Sequence, residues 1–226
     1  MSIAEKLTTV AENVPKVYEA GQEAEYDRFW DSFQANGSRT YCTYMFAGPG
    51  WNDEIFKPKY NIKPSGGVAG MFRTSLIANM KKCLEDAGVT VDLSASTSVN
   101  TAFAYCSALT TLPKLDFSSA TTSTQAFYEC AALETIDEIK FGQGTKFSQT
   151  FDKCSSLTSM TATGVIAQNG LDLSASPLDK QSLLSILNVL QNKTSGTWTV
   201  TLGTDNLAKL TDTEKAIATQ KGWTLV

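Results

Sequence analysis

The sequence predicts an α/β fold, a solenoid of 24-residue repeats with an N-terminal helix and a C-terminal α/β cap. Three observations predict it: side chains that match at a 24-residue period, a helical apolar pattern at the start, and a new pattern after the repeats. The internal repeats carry the most weight for the fold, because a sequence whose repeats are missed is assigned the wrong fold. The predicted organisation has four segments, which are residues 1–35, 36–91, 92–163 and 164–226.

Three consecutive rows of 24 residues cover residues 92–163 and begin DLSASTSV, DFSSATTS and KFGQGTKF. Four columns hold matching side chains in every row. They are Phe103, Phe127 and Phe151; Cys106, Cys130 and Cys154; Leu109, Leu133 and Leu157; and Leu112, Ile136 and Met160. In a solenoid, equivalent residues stack about 4.8 Å apart along a parallel ladder. We therefore expect a row of cysteine between buried rows of phenylalanine and leucine.

The recurring cysteine is predicted to be a packing residue. Cysteine is among the most frequently buried residue types and packs like a small hydrophobe. A metal site or a disulfide fits poorly, because there is no C-x-x-C pattern, no histidine and an odd total of five cysteines. The three thiols are therefore expected to be reduced, buried and free of metal, and no cofactor is expected.

Residues 1–35 are predicted to form a helix. From Ile3 to Ala24 the apolar positions fall at alternating steps of four and three, which is the heptad seam of a coiled coil. Pro15 interrupts this seam, since proline cannot donate the helical hydrogen bond. Two alternatives stay open: a homotrimer through residues 2–34, or a helix docked on the end of the solenoid or on a larger assembly.

Residues 36–91 are predicted to be an N-terminal cap with degenerate repeats. Phe46 and Phe72 each follow a methionine, as if each began a turn of the repeat. The distance from Phe72 to Phe103 exceeds the 24-residue period by seven residues. The extra residues fall in LIANMKKCLEDAG, whose apolar spacing predicts a short helix that ends at Gly88.

Residues 164–226 are predicted to form an α/β cap over the last repeat. Ser176, followed by proline, is predicted to begin a helix, with Asp179 completing a capping box. The run TWTVTL alternates as a strand does. A second capping box, Thr211 with Glu214, predicts another helix.

Composition excludes several classes of function. A net charge of -4 and a pI near 5.0 argue against a nucleic-acid-binding surface, which needs clustered Lys and Arg. No window approaches the roughly 18 apolar residues of a membrane span, and the start of the chain lacks the pattern of a signal peptide. The absence of histidine removes Ser-His-Asp and Cys-His catalysis. We therefore expect a protein that is not an enzyme and has no membrane span.

The segment AFAYCSALTTLPKLDFSSATTSTQAFYECAALETI resembles the leucine-rich repeats of BspA-type bacterial surface proteins, in which aromatic-x-x-Cys-x-x-Leu precedes a short strand. The clear match covers residues 92–163, with a degenerate extension back to about Tyr41. The resemblance implies a leucine-rich-repeat right-handed solenoid that serves adhesion or recognition and has no catalytic residues.

The start of the chain is similar to phage and prophage virion-associated proteins of gut bacteria, which carry such repeats behind an N-terminal helix. Without a signal peptide, this implies a virion protein that resides in the bacterial cytoplasm before assembly. The expected function is a non-catalytic tail or receptor-binding module for a protein or glycan on a bacterial surface. The alternatives are a cell-surface adhesin and, less favoured, a glycosidase that uses two carboxylates.

The candidate binding residues are polar and aromatic positions near the predicted strands. They are Thr110, Thr111, Glu134, Thr135, Tyr44 and Trp51. The hydroxyls and the carboxylate would offer hydrogen bonds, and the flat faces of the two aromatic rings could stack on sugars. The alternatives are turn chemistry for the polar residues and a cap core for the aromatic ones.

Overall fold

A computed structural model describes residues 27–31 and 42–226 of the chain. Residues 27–31 are helical. The remaining helices and strands follow in chain order: α1 (Met80–Ala87), β1 (Thr111–Phe117), β2 (Thr135–Phe141), β3 (Ser159–Gly164), α2 (Lys180–Val189), β4 (Trp198–Val200), α3 (Thr204–Leu207), α4 (Asp212–Gln220) and β5 (Trp223–Leu225). Strands β1, β2 and β3 form one parallel sheet in that order, and β4 pairs with β5 in a second.

The register of the larger sheet follows the repeat. Thr111 pairs with Thr135, and Thr135 pairs with Ser159, so each strand begins 24 residues after the previous one. Within β1, Leu112 and Leu115 are buried while the positions between them face outward. The sheet therefore has one face on the core and one open face. Leu115 and Phe117 follow the alternation of a regular strand, whereas Leu112 and Leu115 are three residues apart and depart from it.

The core is built around a column of phenylalanine rings. Its members are Phe46, Phe72, Phe103, Phe127 and Phe151, each fully buried. Successive rings are stacked with centroids 5.2–5.4 Å apart. The leucines of the predicted second row, Leu109, Leu133 and Leu157, are buried as well. The predicted buried rows of phenylalanine and leucine are confirmed.

A set of backbone hydrogen bonds runs along this column, and we call it the backbone ladder. In the unit around Phe127, the flanking residues Gln125 and Glu129 have positive φ, 53° and 59°. The N–H groups of these three residues donate to carbonyl oxygens of the next unit at 2.8–3.0 Å. Three earlier units repeat the pattern, with donors Tyr44, Phe46 and Gly48; Gly70, Phe72 and Thr74; and Thr101, Phe103 and Tyr105. In every case the N–H belongs to the earlier unit and the carbonyl to the later one.

The prediction of a leucine-rich-repeat right-handed solenoid is wrong. The described residues form a small α/β protein with five short helices and two small parallel sheets. Regular pairing in the larger sheet stops at three strands, because α1 lies beside β1 and α2 packs against β3. Elsewhere, neighbouring segments meet through isolated bridges such as Asn52 with Leu76. The seven extra residues before β1 and the helical pattern after β3 interrupt the strand period on both sides.

Helix α2 begins at Lys180, not at the predicted Ser176. Its N-cap is Asp179, whose carboxylate accepts a hydrogen bond from the Ser182 N–H at 2.7 Å. Ser176 is buried and takes part in a turn before the helix, where the Leu178 N–H donates to its carbonyl. The proline between them is therefore outside the helix.

Helix α2 also covers the free edge of the larger sheet. The Met160 N–H donates to the Ser182 hydroxyl, and the Ala162 N–H donates to the Ser185 hydroxyl, both at 2.9 Å. Two serine side chains thus satisfy strand groups that a fourth strand would otherwise pair, and an edge that invites aggregation is closed.

Other predicted helix signals are confirmed. Gly88 ends α1 in the left-handed conformation, with φ 66°. Thr211 and Glu214 form the capping box of α4. The predicted strand TWTVTL is shorter than expected, since only Trp198–Val200 pair as β4. No helix within the described ranges is long and apolar enough to cross a membrane. The heptad seam and the homotrimer predicted for residues 2–34 fall mostly outside the described residues and stay predictions.

Candidate ligand-binding groove

A groove of about 330 Å³ lies between α1 and the larger sheet. It exists because the residues in excess of the repeat fold as α1 beside β1, where a regular strand would have filled the space. A single bridge, from Asn79 to Thr111, joins this segment to the sheet. Beyond that bridge the helix and the strand diverge around the groove.

The start of α1 is fixed by side-chain hydrogen bonds. The Asn79 side-chain oxygen accepts from the Lys82 N–H at 2.9 Å and from the Thr111 hydroxyl at 2.7 Å. The Asp53 carboxylate accepts from the N–H groups of Ala78 and Asn79 at 2.7 and 3.2 Å. The Lys82 bond satisfies an orphan donor of the first helical turn, the Thr111 bond holds the helix start to β1, and the Asp53 bonds fix the two residues that precede the helix.

The floor of the groove is apolar. It is lined by Leu84, Val89, Val91 and Pro113. Leu84 and Val91 are buried, while Val89 and Pro113 are half-buried. The turn at Gly88 brings the chain back under the helix, where the Val89 N–H donates to the Leu84 carbonyl at 3.1 Å. The floor therefore joins helix, turn and strand in one surface.

The rim is charged, and three of its groups are paired. Lys81 on α1 forms an ion pair with Asp137 on β2 at 2.9 Å, and this hydrogen bond raises the pKa of Lys81. Lys114 forms an ion pair with Glu138 at 3.1 Å. The Thr163 hydroxyl also donates to Glu138 at 2.7 Å, and this bond, followed by Lys114, lowers the pKa of Glu138.

Glu85 is the rim residue without such a partner. Its side chain lines the groove and is exposed, and no ion pair to it is found in residues 27–31 or 42–226. It lies in the last turn of α1, which contains no basic residue. Its neighbour Asp86, by contrast, forms an ion pair with Lys82 at 2.7 Å. Within the described part of the chain, Glu85 is thus the rim carboxylate outside any ion pair, and its charge acts at longer range on Lys81 and Lys82, whose pKa it helps to raise.

Four of the predicted binding residues lie together beside the groove. The Thr110 carbonyl accepts hydrogen bonds from the N–H groups of Glu134 and Thr135 at 2.9 and 3.1 Å. Thr111 pairs with Thr135 across the two strands. The Thr110 hydroxyl is engaged with the Ala78 carbonyl at 2.9 Å. The structure therefore brings the four together at the start of β1 and β2, two residues before the groove wall at Pro113.

The two aromatic candidates lie elsewhere. Tyr44 is 40% exposed and its ring lies over Gly70, where an added Cβ would come within 2.2 Å of the ring. Trp51 is 1% exposed and packs against Phe46 and Phe56, with ring centroids 5.2 and 6.3 Å away. Its interpretation as a sugar-stacking surface is wrong, because the indole is part of the core.

The groove residues themselves were missed by the sequence reasoning. Lys81, Leu84, Glu85 and Asp137 belong to no repeat column. The available signal was the seven-residue excess before Phe103. It predicted a short helix, but the groove that such a helix leaves beside a strand was not predicted.

The recurring thiols lie in the core, away from the groove. Each S–H donates to the carbonyl of the phenylalanine in the preceding unit: Cys106 to Phe72 and Cys130 to Phe103 at 2.9 Å, and Cys154 to Phe127 at 3.1 Å. Burial raises the pKa of the Cys154 thiol to about 12. Within the described part of the chain, no group of three or more cysteine or acidic side chains is arranged to hold a metal ion.

Comparison with known proteins returned no match: no protein-family model, no curated protein and no solved structure matches this chain.

Proposed function

We propose that this chain is a non-catalytic recognition module that binds its partner at the groove and the adjoining outer face of the sheet. The observation that carries the proposal is the cavity of about 330 Å³ with an apolar floor and a charged rim. Ligand sites on proteins are typically concave and mostly apolar, with a few polar groups that fix orientation.

The state of the acidic groups supports recognition over catalysis. Asp137 is held by Lys81, and Glu138 is held by Thr163 and Lys114. A carboxylic acid that acts as a general acid near neutral pH needs a raised pKa. The pKa of Glu138 is lowered, so this group stays ionised and serves the pairing of the strands.

The partner we propose is a protein or glycan on a bacterial surface, with the chain carried on a phage or prophage virion. This part of the proposal is supported by the sequence alone, through the resemblance of the repeats and of the N-terminal segment. The groove supports the binding role and does not depend on the location.

The proposal is tested by closing the groove. Lys114 is 77% exposed on β1 at the rim, so Lys114→Trp would place a large ring over the opening with little cost to the fold. The matched control is Gln220→Trp, at an exposed position on α4 that lies neither on the larger sheet nor among the residues lining the groove. We expect immobilised wild-type protein and the control to retain material from bacterial envelope fractions, and Lys114→Trp to retain much less.

Equal retention by both variants would contradict binding at the groove. The same fractions also test the absence of catalysis. Hydrolysis of an envelope glycan by the wild-type protein, abolished by Asp137→Asn, would replace the proposed recognition role by that of a glycosidase.

A further inference from the structure

We infer that the groove accepts a basic side chain, arginine or lysine, presented by a partner protein. This inference rests on the proposed function and names the chemistry of the ligand. Its starting point is the pairing of charges around the rim, which leaves Glu85 as the rim carboxylate without an ion pair among the described residues.

The position of Glu85 makes it a site for a cation. The carbonyl groups at the end of a helix carry a partial negative charge, so acidic side chains there are unfavourable and cations are favourable. Glu85 lies in the last turn of α1, with no basic residue in that turn. Its exposed carboxylate therefore adds negative charge at the negative end of the helix. A cation beside it would interact favourably with both the carboxylate and the helix end.

The apolar floor of the groove favours a cation that is carried on an aliphatic side chain. Leu84, Val89, Val91 and Pro113 offer an apolar surface next to the carboxylate. Lysine and arginine bury their aliphatic stems on apolar surface while the charged head stays hydrated at its edge. A basic side chain thus matches both parts of the groove, the stem lying on the floor and the head beside Glu85.

A protein is the better source of this side chain than a small amine. The groove is partly open, and two of its lining residues, Pro113 and Asp137, belong to strands β1 and β2 of the larger sheet. A ligand that fills it therefore also meets the sheet, which only a larger surface can cover. The net charge of -4 favours the approach of a basic partner.

The test uses two peptides that differ in charge but not in shape. They are acetyl-Gly-Arg-Gly-amide and the same peptide with citrulline, the neutral isostere of arginine. Binding is followed by the methyl NMR signals of Leu84, Val89 and Val91 in the full chain. We expect the arginine peptide to shift these signals and to bind about threefold to tenfold more tightly than the citrulline peptide.

Two variants locate the effect. Glu85→Gln should bring the arginine peptide to the affinity of the citrulline peptide. Asp86→Asn removes the same charge one residue away, from a carboxylate already paired with Lys82, and should keep the preference. Both positions are exposed on a helix surface, so both variants are expected to fold.

The outcomes separate the two levels of the proposal. Equal binding of both peptides at the groove, unaffected by Glu85→Gln, would overturn the basic side chain and leave the groove as a recognition site. A preference lost equally in both variants would also overturn it, because the effect would then be one of net charge. If neither peptide shifts the groove signals, the inference falls, whereas retention of envelope material blocked by Lys114→Trp would still support recognition.

Discussion

At the position that recurs as cysteine, the side chain supplies a hydrogen bond to the backbone. The carbonyls of Phe72, Phe103 and Phe127 lie in the core, and the thiol of the following unit donates to each. Each of these carbonyls already accepts a backbone N–H, from Ser75, Cys106 and Cys130 respectively, so the thiol supplies a second hydrogen bond to it. Cysteine is small, apolar enough for the core and still a weak donor, so it satisfies both demands.

The pKa of Cys154 leads to a prediction about pH. The folded value is raised to about 12 from an ordinary value of 9.0, so the thiol stays protonated in the folded state at pH values where the unfolded chain ionises. The stability contributed by the neutral thiol is complete below pH 9 and falls as the pH rises towards 12. Between about pH 8 and about pH 10.5, we expect wild type to lose about 1–2 kcal/mol more unfolding free energy than Cys154→Ala.

Urea unfolding at the two pH values measures this difference. Ionisation of lysine and tyrosine affects both proteins equally, because both contain the same lysines and tyrosines, so the difference between them reports the thiol. Equal losses in the two proteins would show that the thiol is not protected from ionisation in the folded state.

At the scale of single elements, α2 covers one edge of the larger sheet, and a lysine side chain caps the C-terminal end of α2. The Lys221 ammonium donates to the carbonyls of Leu187 and Asn188 at 3.0 and 2.5 Å. These carbonyls belong to the last turn of α2, whose C-cap, Leu190, is in an extended conformation and is not a glycine. Burial lowers the pKa of Lys221, yet the helix end favours its positive charge.

Replacement of Lys221 by methionine should therefore weaken the end of α2. We expect a loss of about 1 kcal/mol in unfolding free energy, with faster amide hydrogen exchange in residues 186–190. Lys215→Met, within α4, removes a lysine with no side-chain hydrogen bond in the described structure and should change stability little. Similar effects of the two variants would mean that Lys221 acts through packing or net charge.

Some features of the helices and strands could be predicted from the sequence, and others could not. The phenylalanine and leucine rows and the helix ends at Gly88 and Thr211 were predictable, because each depends on local spacing or on one side-chain chemistry. The extent of strand pairing was not. The sequence predicted the helix before Gly88, but the packing of this helix beside β1, where regular strand pairing ends, depends on contacts between residues distant in the sequence.

The candidate site shows the same limit. Thr110, Thr111, Glu134 and Thr135 were found as a group because they occupy equivalent places in two repeats, and the strand register brings them together. Glu85 was not found, since its importance depends on which neighbouring charges are paired in space. Ion pairs such as Lys81 with Asp137 join residues 56 positions apart in the sequence.

For the whole molecule, the N-terminal segment remains the main prediction from sequence. The heptad seam from Ile3 to Ala24 predicts self-association or docking, with Pro15 as the interruption. Deletion of residues 1–25 should leave the far-ultraviolet circular dichroism of the described core in place, because the phenylalanine column lies entirely outside the deleted stretch. Light scattering should then show a fall from a trimer to a monomer. A monomer before and after deletion would favour the docked helix.

The backbone ladder gives the stacked units an electrical polarity. Each peptide group carries a dipole of about 3.5 D, and in an ordinary sheet the dipoles of the strands largely cancel. Here every ladder N–H points towards the later unit, so the dipoles add along the column, with the positive pole at the unit of Phe151. Lys153 lies at that pole, where a cation is unfavourable. Its ion pair with Glu129 at 2.5 Å, and its position 5.0 Å from the centre of the Tyr128 ring, supply the compensating negative charge and π-density.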